Sequence, residues 1–290
     1  MKKFVYTGIL SLFILLNYAC SSEDSDFNIT PSDPTSSTVT AATLLNVSYG
    51  SDTDQVYDIY LPQNRTLATK VMILIHGGGW TSGDKADMAN FVELIQQELP
   101  TYAIVNINYR LANDTTSPFP MQLDDITSII NDLKTRNEEY IISESYGFLG
   151  TSAGAHLSLL WSYDYDTQSN VNMVASIVGP TNLTDEAYLN NADPTIQAYI
   201  DLLGLDLVLP FLEQFSPYHQ VTTAAPPTVL FYGGQDPLIP NSQGTSLSDR
   251  LTNLGVTHEF TFYPEEGHGW GGQNAIDTWT KLKAFVAEHH

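Results

Sequence analysis

Short, continuous apolar runs separated by amphipathic helical stretches constrain this chain more than any other feature. Val71-Met72-Ile73-Leu74-Ile75 is apolar at every position, so it has no polar face to turn toward water, the pattern of a strand buried on both sides. Similar runs recur at 103–107, 147–149, 174–178 and 228–231. Helical patterns lie between them, at 86–99, 121–140, 153–161, 242–254 and 275–288. In the second of these, Ile126, Ile129, Ile130 and Leu133 form one stripe. Strands alternating with helices require right-handed crossovers and a mainly parallel sheet covered on both faces. Residues 44–49 and 56–61, on either side of Gly50-Ser51-Asp52, are expected to open the domain as a hairpin. Such a sheet binds ligands at the carboxyl ends of its strands, so chemistry is to be sought just after each apolar run.

Gly150-Thr151-Ser152-Ala153-Gly154 stands at such a point, between the run 147–149 and the helix beginning near Ala153. The pattern is that of a nucleophile elbow, where a turn too tight for side chains at the glycines leaves the serine exposed at a helix N-terminus. Alone the pentapeptide is weak, because chance produces it in roughly one chain in ten of this length. Its context is stronger. His76-Gly77-Gly78-Gly79-Trp80 follows the run 71–75, where backbone N–H groups of Gly78 and Gly79, with that of Ala153, can meet a developing oxyanion.

Together, HGGGW, then Tyr109-Arg110-Leu111 after the next strand, then GTSAG resemble the α/β-hydrolase superfamily. The likeness is to its esterase and lipase branch, including hormone-sensitive-lipase-like and bacterial feruloyl-esterase-like carboxylesterases. It covers most of the stretch from Val71 to the C-terminus. It implies an α/β-hydrolase fold, a cofactor-free acyl-enzyme mechanism and a triad in the chain order Ser, Asp, His. Asp236 follows the strand at 228–231 and His268 follows a strand at 259–263, so Ser152, Asp236 and His268 are the candidate catalytic residues.

Other residues compete for attention. His76 is expected to hold the oxyanion loop in shape, and His156, one turn beyond Ser152, to be structural. His219 follows the cap and reads as structural or as a substrate contact, His258 enters a strand, and His289 and His290 read as a frayed tail. Glu265 and Glu266 adjoin His268 and read as solvated. Arg110 is expected to position loops, with a substrate contact as the alternative, while Asp124 and Asp125 open a helix, where acids favour the macrodipole. Trp80 and Trp270 are read either as aromatic walls of an acyl or sugar site or as loop packing. With Cys20 the single cysteine and no HExxH spacing, no metal site is expected.

The N-terminus carries a separate message. Lys2 and Lys3 precede an apolar run at 4–16, with Ala19 before Cys20, which reads as an export signal over residues 1–19. The run is too short to cross a membrane. The segment resembles a bacterial lipoprotein signal, which implies lipidation of Cys20 and an extracytoplasmic, membrane-anchored protein. The acidic stretch after the cysteine resembles a surface-export signal. A plain signal peptide and an uncleaved anchor are the alternatives. Residues 20–42, rich in Ser, Thr, Asp and Pro, read as a flexible tether. The catalytic domain is then 43–290, with a cap insertion around 183–223 that has a helical signal at 195–205, or else a surface excursion without a role in binding.

Charge excludes one class of partner. Eleven Lys and Arg stand against 33 Asp and Glu, a net charge of -22, which becomes -24 without Lys2 and Lys3. No basic run is available to neutralise phosphates along a nucleic acid. The function expected is hydrolysis of carboxylic esters, including acetyl or feruloyl groups on polysaccharide. An amidase or peptidase on the same fold is the first rival, and a surface lipoprotein with an idle triad that binds a glycan or protein is the second.

Overall fold

The computed structural model describes residues 38–190, Pro194 and 208–290. Eight strands form one sheet in the order β1-β2-β4-β3-β5-β6-β7-β8. They are β1 (Ala42–Ser48), β2 (Val56–Leu61), β3 (Val71–Ile75), β4 (Ala103–Ile107), β5 (Tyr146–Thr151), β6 (Val171–Ile177), β7 (Thr228–Gly233) and β8 (His258–Tyr263). The β1–β2 and β2–β4 pairs are antiparallel, and the remaining five pairs are parallel. This is the α/β-hydrolase fold that the motifs imply.

The central strands are buried because their side chains alternate between two apolar layers. Val71, Ile73 and Ile75 enter one core, and Met72 and Leu74 enter the other. The first core is completed by α2 (Met121–Thr135), α4 (Ala153–Leu160) and α8 (Asn241–Leu254), through residues such as Ile126, Leu157 and Leu247. The second is completed by α1 (Ala89–Glu98) and α9 (Gly272–His289), through Val92, Leu282 and Phe285. Covering both faces removes water from each strand, at roughly 1.5–3 kcal/mol per large apolar side chain.

The short helices α3 (Asn137–Tyr140), α5 (Glu186–Leu189), α6 (Leu209–Gln214) and α7 (Pro217–Gln220), a 3₁₀ turn at Lys85–Met88 and a π-helical turn at Trp161–Tyr165 complete the described elements. Of the expected cap, 183–190 and 208–223 are described, and the helical signal at 195–205 lies outside the described residues. So do the expected signal at 1–19, Cys20 and most of the expected tether.

Two expectations are corrected. The C-terminal histidines are not frayed: α9 runs to His289, and His290 is buried, its carbonyl accepting from Lys70 Nζ. The helix expected over 121–140 breaks at Arg136, which leaves helical geometry at φ -105° and separates α2 from α3.

Candidate active site

Ser152 lies between β5 and α4 with φ 51° and ψ -120°, a conformation costly for a residue with a Cβ. The neighbouring chain enforces it. Ser152 N–H donates to the Ile177 carbonyl at 2.8 Å, extending the β5–β6 ladder, while the Ser152 carbonyl accepts from His156 N–H at 3.1 Å and starts the helix. The glycines are there for space. A Cβ on Gly154 would sit 2.1 Å from the Ile75 carbonyl oxygen, and one on Gly150 would sit 2.3 Å from that of Gly154.

His268 Nε2 is 3.0 Å from Ser152 Oγ, and His268 Nδ1 is 2.7 Å from Asp236 Oδ2. A carboxylate can only accept, so Nδ1–H donates to it and Nε2 is left with a lone pair for the serine proton. Asp236 is 1% exposed and His268 is 27% exposed at the side chain, so the imidazole edge is reachable while its partner is dry. The other oxygen of Asp236, Oδ1, accepts from Leu238 N–H at 2.8 Å and Ile239 N–H at 3.0 Å. The carboxylate is thereby aimed before the imidazole is considered.

The loops carrying Asp236 and His268 are stitched backbone to backbone. Gly234 N–H donates to the Tyr263 carbonyl at 2.8 Å, and Gln235 N–H to the Glu266 carbonyl at 2.7 Å. Glu266 also accepts from Asn274 at 2.7 Å, which ties the histidine loop to the start of α9, and Glu265 is exposed.

Opposite lies the glycine loop. Gly77 backs onto the elbow so closely that a Cβ would stand 3.1 Å from Ser152 Cβ. Gly78, at φ 112°, turns its carbonyl to accept from Thr81 N–H, Ser82 N–H and Ser82 Oγ. That carbonyl is occupied within its own turn. Ala153, on the nucleophile side, is fully buried at the first position of α4.

The supporting residues fall as expected, with two refinements. His76 is buried, its Nδ1 2.6 Å from the Gly77 carbonyl and its ring stacked 4.3 Å from Tyr109; burial lowers its pKa. Tyr109 Oη donates to the His76 carbonyl at 2.9 Å. Arg110 is held by Asp125 through Nε and Nη2, the latter at 2.6 Å. Asp125 therefore serves as a buried counter-ion, also accepting from Gln55, more than as a helix-dipole acid, whereas Asp124 is exposed. Trp80 is completely buried against Phe119 and His156, so of its two readings packing holds. Trp270, half-buried, donates to Thr278 and packs on Tyr263.

His156 is buried, with Nε2 2.8 Å from the Phe215 carbonyl, and burial pushes its pKa down to about 4. His219 Nε2 lies 2.8 Å from Thr184 Oγ1, and His258 Nδ1 lies 2.9 Å from the Val256 carbonyl.

One organising residue had no sequence signal. Gln243, fully buried on α8, accepts from Thr181 and Asn182 N–H, each at 2.8 Å. It donates to the Asn182 carbonyl and to Asp185 Oδ2, at 3.1 and 2.8 Å. It clamps the chain leaving β6 to the helix that follows the Asp236 loop. A glutamine three residues into an amphipathic helix gives no hint of that partner.

Comparison with known proteins agrees with this geometry. The family model described as BD-FAE matches residues 57–251. The chain is 24% identical over 247 residues to Esterase LipC of Mycobacterium tuberculosis (strain ATCC 25618 / H37Rv), covering 77% of this chain and 59% of that protein. It is 25% identical over 257 residues to a probable isoprenylcysteine alpha-carbonyl methylesterase, ICMEL1, of Arabidopsis thaliana, covering 77% and 50%. The chain thus spans only about half the length of the curated relatives it matches. Among solved structures, a truncated carbohydrate esterase from gut microbiota superposes with a TM-score of 0.71 at 22% identity, covering 86% of this chain and 98% of that one. A bifunctional GH43-CE protein of Bacteroides eggerthii gives 0.72 at 23%, covering 85% and 35%. At these identities the superpositions speak for the fold.

Proposed function

The chain belongs to the BD-FAE family, and from that premise we propose that it is a serine carboxylesterase working through an acyl-enzyme. The observation that carries the reading is the unbroken hydrogen-bonded series from Ser152 Oγ through His268 to Asp236, at 3.0 and 2.7 Å. Esterase relatives support it.

In the proposed cycle, Ser152 Oγ attacks the ester carbonyl carbon as its proton passes to His268 Nε2. Asp236 stabilises the imidazolium without taking the proton. The carbonyl oxygen, now an oxyanion, is met by Ala153 N–H and by N–H groups of the Gly78–Gly79 turn. Collapse breaks the bond to the alcohol oxygen, which takes the proton from Nε2 and leaves. Water then attacks the acyl-Ser152 carbonyl, giving its proton to Nε2, and the second collapse returns that proton to Oγ and frees the acid.

Glycan-linked acetyl or feruloyl esters are the proposed substrates, supported by the likeness to a structure named as a carbohydrate esterase from gut microbiota. The location is proposed from the N-terminus: lipidation at Cys20 and an extracytoplasmic, membrane-anchored protein, with outer-membrane surface display the finer reading. Incorporation of labelled fatty acid that survives Cys20→Ser would refute the anchor.

An organophosphonate tests the chemistry, because it traps only a serine that a base has activated. Labelling is expected at Ser152 and is lost in Ser152→Ala and in His268→Ala, whose activity losses do not add. A folded wild-type protein that takes up no probe and hydrolyses no ester would instead be the binding protein with an idle triad.

A further inference from the structure

Cations are so scarce in this chain that each can be placed relative to the serine. Eleven exist in all. Lys2 and Lys3 lie in the N-terminal signal, and neither 20–42 nor 191–207 contains another. Arg65 and Lys70 precede β3, at the end of the sheet away from Ser152, where Arg65 donates to the Tyr140 and Thr40 carbonyls. Lys134 and Arg136 close α2, held by Gln168 and Asp132. Lys281 and Lys283 lie in the far half of α9, held by Asp277 and Glu98.

Three remain, two of them paired with acids and one placed down a helix. Lys85 sits 3.1 Å from Asp58, both side chains nearly buried at 12% and 11% exposure. Arg110 is ion-paired with the buried Asp125 through Nε and Nη2. Arg250 is nine residues into α8, about 13 Å below the catalytic end at 1.5 Å per residue, with its guanidinium over the Tyr218 ring. Acids, by contrast, crowd the same loops. Asp236 is in the hydrogen-bonded series, Glu265 and Glu266 lie three and two residues before His268, and Asp185 lies at the cap base against Gln243.

We infer that the site selects by charge: it accepts esters whose acyl and alcohol parts carry no anion, and it rejects those borne on carboxylates, such as acetylated polyuronates. This deepens the esterase reading and rests on it. A cleft lined by one sign of charge repels a like-charged ligand over several ångströms of approach, lowering its local concentration and its capture rate. The same field favours departure of the acid product, which leaves as a carboxylate at neutral pH.

The test uses three acetate esters with one reacting group: 4-acetoxybenzoate, 4-acetoxybenzamide and 4-acetoxybenzyltrimethylammonium. Each kcat/KM is divided by the ester's own hydroxide-catalysed rate. At about 10 mM salt, where screening reaches about 30 Å, the benzoate is expected to fall about tenfold or more below the benzamide, with the cation at or above it. In about 1 M salt, where screening reaches about 3 Å, the gap should close to within a few-fold. Equal values at low salt, or a gap that salt leaves unchanged, overturn the inference while the esterase stands. A folded protein that hydrolyses none of the three overturns both.

Discussion

Asp236→Asn puts the mechanism under a test whose size follows from two backbone hydrogen bonds. Oδ1 of Asp236 accepts from Leu238 and Ile239 N–H, so an asparagine at this position keeps its carbonyl oxygen there and turns its NH2 toward His268 Nδ1, 2.7 Å away in the parent. Two donors would then face each other unless the imidazole moves its proton to Nε2. In that tautomer Nε2 has no lone pair for the Ser152 proton. Recovering the active tautomer requires flipping the amide, which sets NH2 against two backbone donors. Losing both bonds costs about 1–3 kcal/mol each, or about 2–6 kcal/mol together. That corresponds to a loss in kcat of between about 30-fold and 10⁴-fold, the upper end matching the corresponding asparagine substitution in a serine protease. Stability should change by less than about 1 kcal/mol, because the loop keeps its turn. Hydrolysis of a neutral acetate ester, with urea melts of both proteins, reads both quantities. Activity within five-fold of the parent would mean that another group orients His268 and that the tautomer argument is wrong.

Three further outcomes follow from buried polar groups. Arg110→Ala strands the Asp125 carboxylate and should cost about 3–5 kcal/mol by chemical denaturation, with Arg110→Ala/Asp125→Asn recovering part of it; no recovery would mean that Arg110 acts by packing. Gln243→Leu leaves the Thr181 and Asn182 N–H groups unpaired and should cost about 2–5 kcal/mol, a value under 1 kcal/mol showing that water replaces the amide. His156 is held neutral by burial, with its pKa lowered from 6.5 to about 4. A depressed histidine contributes stability that is complete above pH 6.5 and is lost as pH falls toward 4, here about 3 kcal/mol. His156→Gln should therefore lose less than the parent across that window in denaturation at stepped pH, and parallel curves would place the acid sensitivity elsewhere.

What could be read from the sequence depended on how local the cause was. β3 and β4 fall at 71–75 and 103–107 as expected: β3 is apolar at every position, and the one polar residue of β4, Asn106, is buried and donates to the Lys85 carbonyl, so the strand continues through it. β6 starts three residues before its expected position. Asn172 interrupts the run and is exposed, while Val171 and Met173 on either side are buried. The helix expected from 86 begins as a 3₁₀ turn, Lys85–Met88, because Asp84 and Asp87 cap each other's backbone there and close a tighter turn. The three candidate catalytic residues were legible for a related reason: each follows its strand within a few residues and stands beside glycines, a signal contained in one short window.

The contacts that give the site its distances lie outside any such window. Gly77 meets Ser152 Cβ because β3 pairs with β5, and the Gln235–Glu266 bond forms because β7 pairs with β8. Strand order is a property of the whole sheet. The sequence lists β3, β4 and β5 consecutively, whereas the sheet places β3 between the other two. The same reasoning explains why the strained Ser152 backbone is tolerated. Its N–H is held by Ile177 on a neighbouring strand, and its helix is pressed against Ile75 at a glycine, so relaxing φ would break a ladder bond and open a core contact together. A Gly154→Ala change attacks that arrangement directly. With its Cβ 2.1 Å from the Ile75 carbonyl oxygen, backbone must move, and the first thing displaced is the 3.0 Å approach of Ser152 to His268. Activity should therefore vanish at temperatures where the fold, followed by far-UV circular dichroism, is still intact, and a variant that stays active until it melts would show that the elbow has slack the close packing denies.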